Sequence, residues 1–250
     1  MALLLLCSAA AGCSQNGPWD NSDIPLTDAP NAPSSSVISP GITDPSTTDS
    51  TPTTTKTNTS EAETTAEPTA AHTLEQIDGI WYVDGVLVAN KSYPLPADYA
   101  PGGLLDAAEI AFMEMKNAAA RDGITLTIVS GYRSYARQEK LYNNYVAKDG
   151  HAEADRYSAR PGHSEHQSGL AMDLNSVDDS FANTKEAKWI AENCAKYGFI
   201  IRYPKDKEDI TGYIYEPWQV RYLGVDLAEA ITTSGLCFEE YFGITSEYDK

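Results

Sequence analysis

The chain has 250 residues and a formal net charge of −18. That length accommodates one domain of ordinary size with appendages. A duplex-binding protein needs clustered Lys and Arg; no run here is basic, which argues against nucleic acid as a partner.

Residues Met1 to Gly12 are almost wholly apolar and small, ending Ala10-Ala11-Gly12 before Cys13. The run is too short to cross a bilayer and reads as a secretory signal over residues 1–13. Small residues directly before a Cys resemble a bacterial lipoprotein cleavage site, at which Cys13 becomes the lipidated N-terminus. No Lys or Arg precedes the apolar run, so a plain signal peptide with an incidental Cys13 stands as the alternative. Residues 14–72 are dominated by Thr, Ser, Pro, Asp and Glu. Nothing in them can bury a core, and the composition predicts a disordered linker, or tether. Its eight acidic residues and one Lys carry −7 of the charge and leave −11 on the rest.

The folded part is expected over residues 73–250. Ile80-Trp81-Tyr82-Val83, Asp84-Gly85 and Val86-Leu87-Val88 have the form of a hairpin, with Asp-Gly supplying the positive φ angles of a tight turn. Two prolines in Asn90-Lys91-Ser92-Tyr93-Pro94-Leu95-Pro96 forbid a helix. Leu105, Ala108, Phe112, Met115 and Ala119 recur at three and four residues and predict a helix over 104–121, stopped by Gly123. Ile124 to Val129 reads as a strand rich in branched residues, and 134–147 as a second helix. Thr184 to Tyr197 is a further helix, Phe199 to Tyr203 a buried strand, 206–208 a solvated turn, and 225–233 a last helix. Cys194 and Cys237 could form a disulfide or remain buried thiols, since an exported protein permits either. Alternating helices and strands with an antiparallel hairpin give an α+β domain.

The chemistry concentrates in Pro161 to Asp173 and in Tyr215 to Tyr222. A polar loop carrying His166, then a glycine-relieved apolar run carrying Asp173, is the pattern of a metal site fed by a loop and a strand. Zinc takes imidazole nitrogen and carboxylate oxygen and leaves one position to water in catalytic sites; Glu216 is the candidate base for that water. Pro217 interrupts regular pairing, so Glu216 and residue 219 can face one pocket although three residues apart. Arg133, at a strand end, presents fixed donors suited to a developing oxyanion. Gln138, one helical turn on, is a second candidate for lining the pocket.

The segment Ser-x-His-x-x-Gly-x-Ala-x-Asp at Ser164 to Asp173 resembles the signature of the zinc D,D- and L,D-carboxypeptidases of bacterial cell walls. So do Ser130-Gly131-Tyr132-Arg133-Ser134 upstream and Glu216-Pro217-Trp218 downstream. The match is similar to the peptidase M15B group, which includes the vancomycin-resistance D,D-carboxypeptidases, and covers roughly residues 85 to 242. The resemblance implies a hedgehog/D,D-peptidase-like fold with a small antiparallel sheet flanked by helices. It further implies a Zn2+ cofactor on His166 and Asp173, an oxyanion role for Arg133 and hydrolysis of peptidoglycan stem peptides at a terminal D-amino acid. Ser168 is the candidate for reading the free carboxylate. In the family the residue after Glu-Pro-Trp is a third zinc-binding His; here it is Gln219, and His163 is the nearby imidazole that could replace it. The expected function is an extracytoplasmic carboxypeptidase, either lipid-anchored or secreted. The alternative is a stem-peptide-binding lipoprotein that has lost tight zinc and turnover.

Overall fold

The computed structural model describes residues 71–249. The expected signal, the Cys13 lipid site and nearly all of the expected tether lie outside the described residues. The elements run β1 Leu74–Ile77, β2 Ile80–Val83, β3 Val86–Val88, α1 Asp106–Arg121, β4 Ile128–Ser130, α2 Tyr135–Asp149, α3 His151–Tyr157, a 3-10 turn Glu165–Ser168, and β5 Ala171–Leu174. After a second 3-10 turn, Asp179–Asn183, come α4 Lys185–Asn193, a third 3-10 turn Cys194–Tyr197, β6 Phe199–Tyr203, α5 Glu208–Thr211, β7 Glu216–Tyr222, α6 Val225–Ser234 and α7 Phe238–Phe242. β1, β2 and β3 form one antiparallel sheet and β4-β5-β7-β6 another. This is the expected α+β class.

Helix α1 buries Ala108, Ala111, Phe112, Met115, Ala118 and Ala119, the three-and-four spacing that makes one apolar stripe. Leu105, expected on that stripe, is instead the residue before the helix and is exposed. The stripe packs with Met172 and Leu174 of β5 and Trp218 and Val220 of β7 in one core. Strand side chains alternate between faces, so Asp173 and Gln219 fall on the face away from that core. They are cross-strand partners in the β5–β7 ladder.

Several elements differ from expectation. The strand expected from Ile124 starts only at Ile128, because the Asn175 side chain takes over the pairing: its Oδ1 accepts from Thr127 N at 2.8 Å and its Nδ2 donates to Thr125 O at 2.7 Å. The solvated turn at 206–208 leads into α5, where Glu208 pairs with Arg156 at 2.6 Å. Helices α3 and α7 were not anticipated. Cys194 and Cys237 are both buried free thiols, so the possible disulfide does not form.

Candidate active site

His166 sits in the 3-10 turn whose C-cap is Gly169, at φ 73°. A Cβ on Gly169 would stand 2.6 Å from the Gly103 carbonyl oxygen, so glycine is required where the chain leaves this turn for β5. The ring is 3 % exposed. Its Nδ1 lies 2.7 Å from the Gly131 carbonyl oxygen, which can only accept, so Nδ1 carries the hydrogen. In the neutral ring Nε2 is then a lone pair, and it stands 3.3 Å from Asp173 Oδ2 and 3.3 Å from Gln219 Oε1. With the ring neutral, three acceptors converge with no hydrogen among them, an arrangement that a proton on Nε2 or a bound cation reconciles. The other oxygen of Asp173, Oδ1, is buried without a hydrogen-bond partner among the described residues.

Two ladder irregularities set the surroundings. Between Ile128 and Ser130 the β4–β5 register shifts, bringing Ser130 opposite Asp173. Between Ile201 and Tyr203 the β6–β7 register jumps from Val220 to Glu216. The two extra residues on β7 around Pro217 interrupt its regular pairing, as expected. Glu216 is 5 % exposed. Its carboxyl is pushed well above the ordinary carboxylate range, by burial first and then by the negative charge of Asp173. Asp173 is held below its ordinary value: burial opposes ionisation, but His166, Arg133 and Ser130 outweigh it.

Arg133 approaches Asp173 Oδ2 with Nη2 at 3.7 Å. The same fork donates to Gln138 Oε1 at 2.7 Å and to Ser130 Oγ at 2.9 Å. Gln138 is 1 % exposed, and its Nε2 donates to Ala159 O at 2.7 Å. It therefore orients Arg133 rather than lining an open pocket. Ser168 also departs from expectation. It is fully buried, donates to Glu165 O at 2.5 Å and accepts from Leu170 N at 3.1 Å, so its hydroxyl is committed to the turn and not to a ligand. His163 does not turn to the convergence point. Its Nδ1 lies 2.8 Å from Asn90 O and its ring meets Tyr248 edge to face.

Sequence reasoning passed over the support behind His166. Glu165 Oε1 accepts from Arg202 Nε at 2.7 Å and Arg221 Nη1 at 2.8 Å, and Glu239 holds the other side of Arg202 at 2.5 and 2.9 Å. All four side chains are buried, and their charges cancel. Arg202 and Arg221 lying within apolar strands was the available signal, since a buried charge needs a partner. A groove of about 530 Å³ is lined by Asp149, Glu153, Arg156, Asp179, Tyr215 and Pro217, the last two being the chain neighbours of Glu216. Among the described residues no three of His, Cys, Asp and Glu gather around one point. The third donor beside His166 and Asp173 is an amide.

The His166–Asp173–Gln219 convergence, the Arg133 fork beside it and the buried carboxyl of Glu216 are carried together on an α+β scaffold. The family model described as VanY, D-alanyl-D-alanine carboxypeptidase, matches residues 103–225. YodJ of Bacillus subtilis (strain 168), which bears a provisional carboxypeptidase name, is 40% identical over 197 residues, spanning 68% of this chain and 72% of YodJ. The structure of LdcB, an LD-carboxypeptidase, is similar at 41% identity with TM-score 0.66, covering 72% of this chain and 100% of that one. A mutant of the vancomycin-resistance D,D-pentapeptidase VanY, solved in complex with Zn(II), aligns at 36% identity with TM-score 0.55, over 62% of this chain and 96% of that one. The chain belongs to the VanY D-alanyl-D-alanine carboxypeptidase family, the M15B group, and is a carboxypeptidase of that family.

Proposed function

We propose that the chain is a zinc-dependent carboxypeptidase that removes the terminal D-amino acid of peptidoglycan stem peptides. The observation that carries this reading is the approach of Asp173 Oδ2 and Gln219 Oε1 to the bare Nε2 of His166, each at 3.3 Å. Both 3.3 Å separations are of the size expected between donors that share one small cation with bonds of about 2.0–2.2 Å. The partnerless Oδ1 of Asp173 supports the same fit. His166, Asp173 and Gln219 would hold the metal, and when bound zinc supplies Lewis-acid polarisation of water and of the scissile carbonyl.

The remaining roles fall to the chain's own groups. Glu216, buried and pushed towards higher pKa, is suited to take a proton from the attacking water and return it to the leaving amine. Water thus adds hydroxyl to the carbonyl carbon and hydrogen to the amine as the C–N bond breaks. Arg133, fixed by Gln138 and Ser130, presents its guanidinium to the oxyanion. The reading takes residues 1–13 as an export signal, with Cys13 either a lipid anchor or incidental to a plain signal peptide, and a substrate met outside the cytoplasm.

The test is incubation of the zinc-loaded protein with tetra- and pentapeptide stems, read by mass spectrometry. Release of a single terminal D-alanine is expected. Intact stems after incubation with protein of verified zinc content would overturn the proposal.

A further inference from the structure

We infer that the site is oxygen-rich enough to narrow the usual preference for zinc over manganese(II), a harder divalent cation. The inference rests on the metal site proposed above but not on its turnover. The chain has four histidines. Apart from His166, each is committed elsewhere: His72 to Asp84 at 2.5 Å, His151 to Tyr142 at 3.3 Å, and His163 to Asn90 O at 2.8 Å. One imidazole nitrogen is therefore all the nitrogen the site can offer. The other donors are oxygens: Asp173 Oδ2, the partnerless Asp173 Oδ1 beside it, and the neutral Gln219 Oε1.

Donor type decides the consequence. Imidazole favours zinc, whereas carboxylate and carbonyl oxygens suit manganese, magnesium and calcium. Replacing an imidazole by an amide oxygen takes away binding free energy from zinc more than from manganese. The positive charge of Arg133, 3.7 Å from Asp173 Oδ2, repels any dication and so lowers both affinities without restoring the difference. Gln219 lies opposite Asp173 in the ladder, and its buried amide stands with Oε1 3.3 Å from His166 Nε2.

The experiment uses the full chain, stripped with chelator and checked by circular dichroism. Manganese binding is read from the loss of the free-ion electron paramagnetic resonance signal, and zinc binding from competition with a chromogenic chelator. The ratio of the two dissociation constants is compared between the native chain and Gln219→His. The native chain is expected to discriminate for zinc at least about tenfold less than the variant, with manganese affinity changed by less than about threefold. Gln219→Glu, which keeps an oxygen at the same point, is expected to tighten both ions and leave the ratio near the native one. Equal ratios in the native chain and Gln219→His, a Glu variant as zinc-selective as the His variant, or no measurable manganese binding to the native chain would each overturn the inference. A narrowed ratio in a protein that leaves stem peptides intact would sink the proposed hydrolysis and keep this inference; cleavage with an unchanged ratio would do the reverse.

Discussion

Gln138 and Arg133 are five residues apart in the chain and joined by a 2.7 Å hydrogen bond from Nη1 to Oε1, with Gln138 anchored in turn on Ala159 O. Helix α2 thereby fixes the fork that lies beside Asp173, through a side chain that never reaches solvent. Gln138→Leu is expected to lower kcat/KM by about 10- to 100-fold, the worth of one hydrogen bond to a charged group. Stem-peptide kinetics check this. A purely structural role for Gln138 would lower thermal stability and leave the rate of the folded fraction unchanged.

Arg133→Lys keeps the charge but loses the planar fork that reaches Gln138 and Ser130 together. The expected outcome is a loss of about 10²- to 10³-fold in kcat, as for removal of one oxyanion donor. Zinc content, measured by inductively coupled plasma mass spectrometry, is expected to stay near the native value.

Glu216 makes the metal-free fold sensitive to pH in a definite direction. Its folded pKa lies above the unfolded one, so between the two the native state binds more protons than the unfolded state, and stability falls as pH rises through that window. Asp173, shifted downwards, acts only at lower pH, where stability is lost as pH falls. Chelated native protein is therefore expected to melt at progressively lower temperature as pH is raised from about 5, near the ordinary carboxylate range, to 8. In Glu216→Gln that slope should shrink and the pH 8 melting temperature rise. The same substitution should reduce turnover by about 10²- to 10⁴-fold while metal remains bound.

Glu165 holds two arginines behind the turn that carries His166, with no solvent to relieve a lost charge. Glu165→Gln leaves Arg202 with Glu239 but Arg221 with only the Leu87 and Tyr222 carbonyls, and should cost about 3–5 kcal/mol, the range for breaking a buried ion pair from one side. Denaturant unfolding measures it. A cost below about 1 kcal/mol would mean that water reaches the cluster.

Much of this architecture was legible in local pattern. The stripe of α1, the Asp84-Gly85 hairpin and the strands at Ile80, Phe199 and Ala171 follow from periodicity and turn chemistry, which act within a few residues. The loop-and-strand pattern pointed to His166 and Asp173, whose side chains approach to 3.3 Å, and the proline at 217 foretold the break in pairing that the β6–β7 register displays. What escaped depends on contacts distant in sequence. Whether Ser168 faces a ligand or its own turn is decided by a hydroxyl rotamer. The duty of Gln138 is decided by a carbonyl 21 residues away. The Glu165–Arg202–Arg221–Glu239 cluster joins four segments whose charges look unremarkable one at a time. Asn175 shortened an expected strand by supplying from its side chain the hydrogen bonds that a ladder would have made.

The proposed chemistry rests on a single imidazole, a carboxylate and an amide oxygen binding one ion. X-ray absorption of the zinc-loaded chain counts imidazoles directly, through the multiple scattering of the ring. One imidazole per zinc, with the rest of the coordination made by oxygen, is the predicted spectrum. Two imidazoles per zinc, or zinc bound through sulfur, would contradict it.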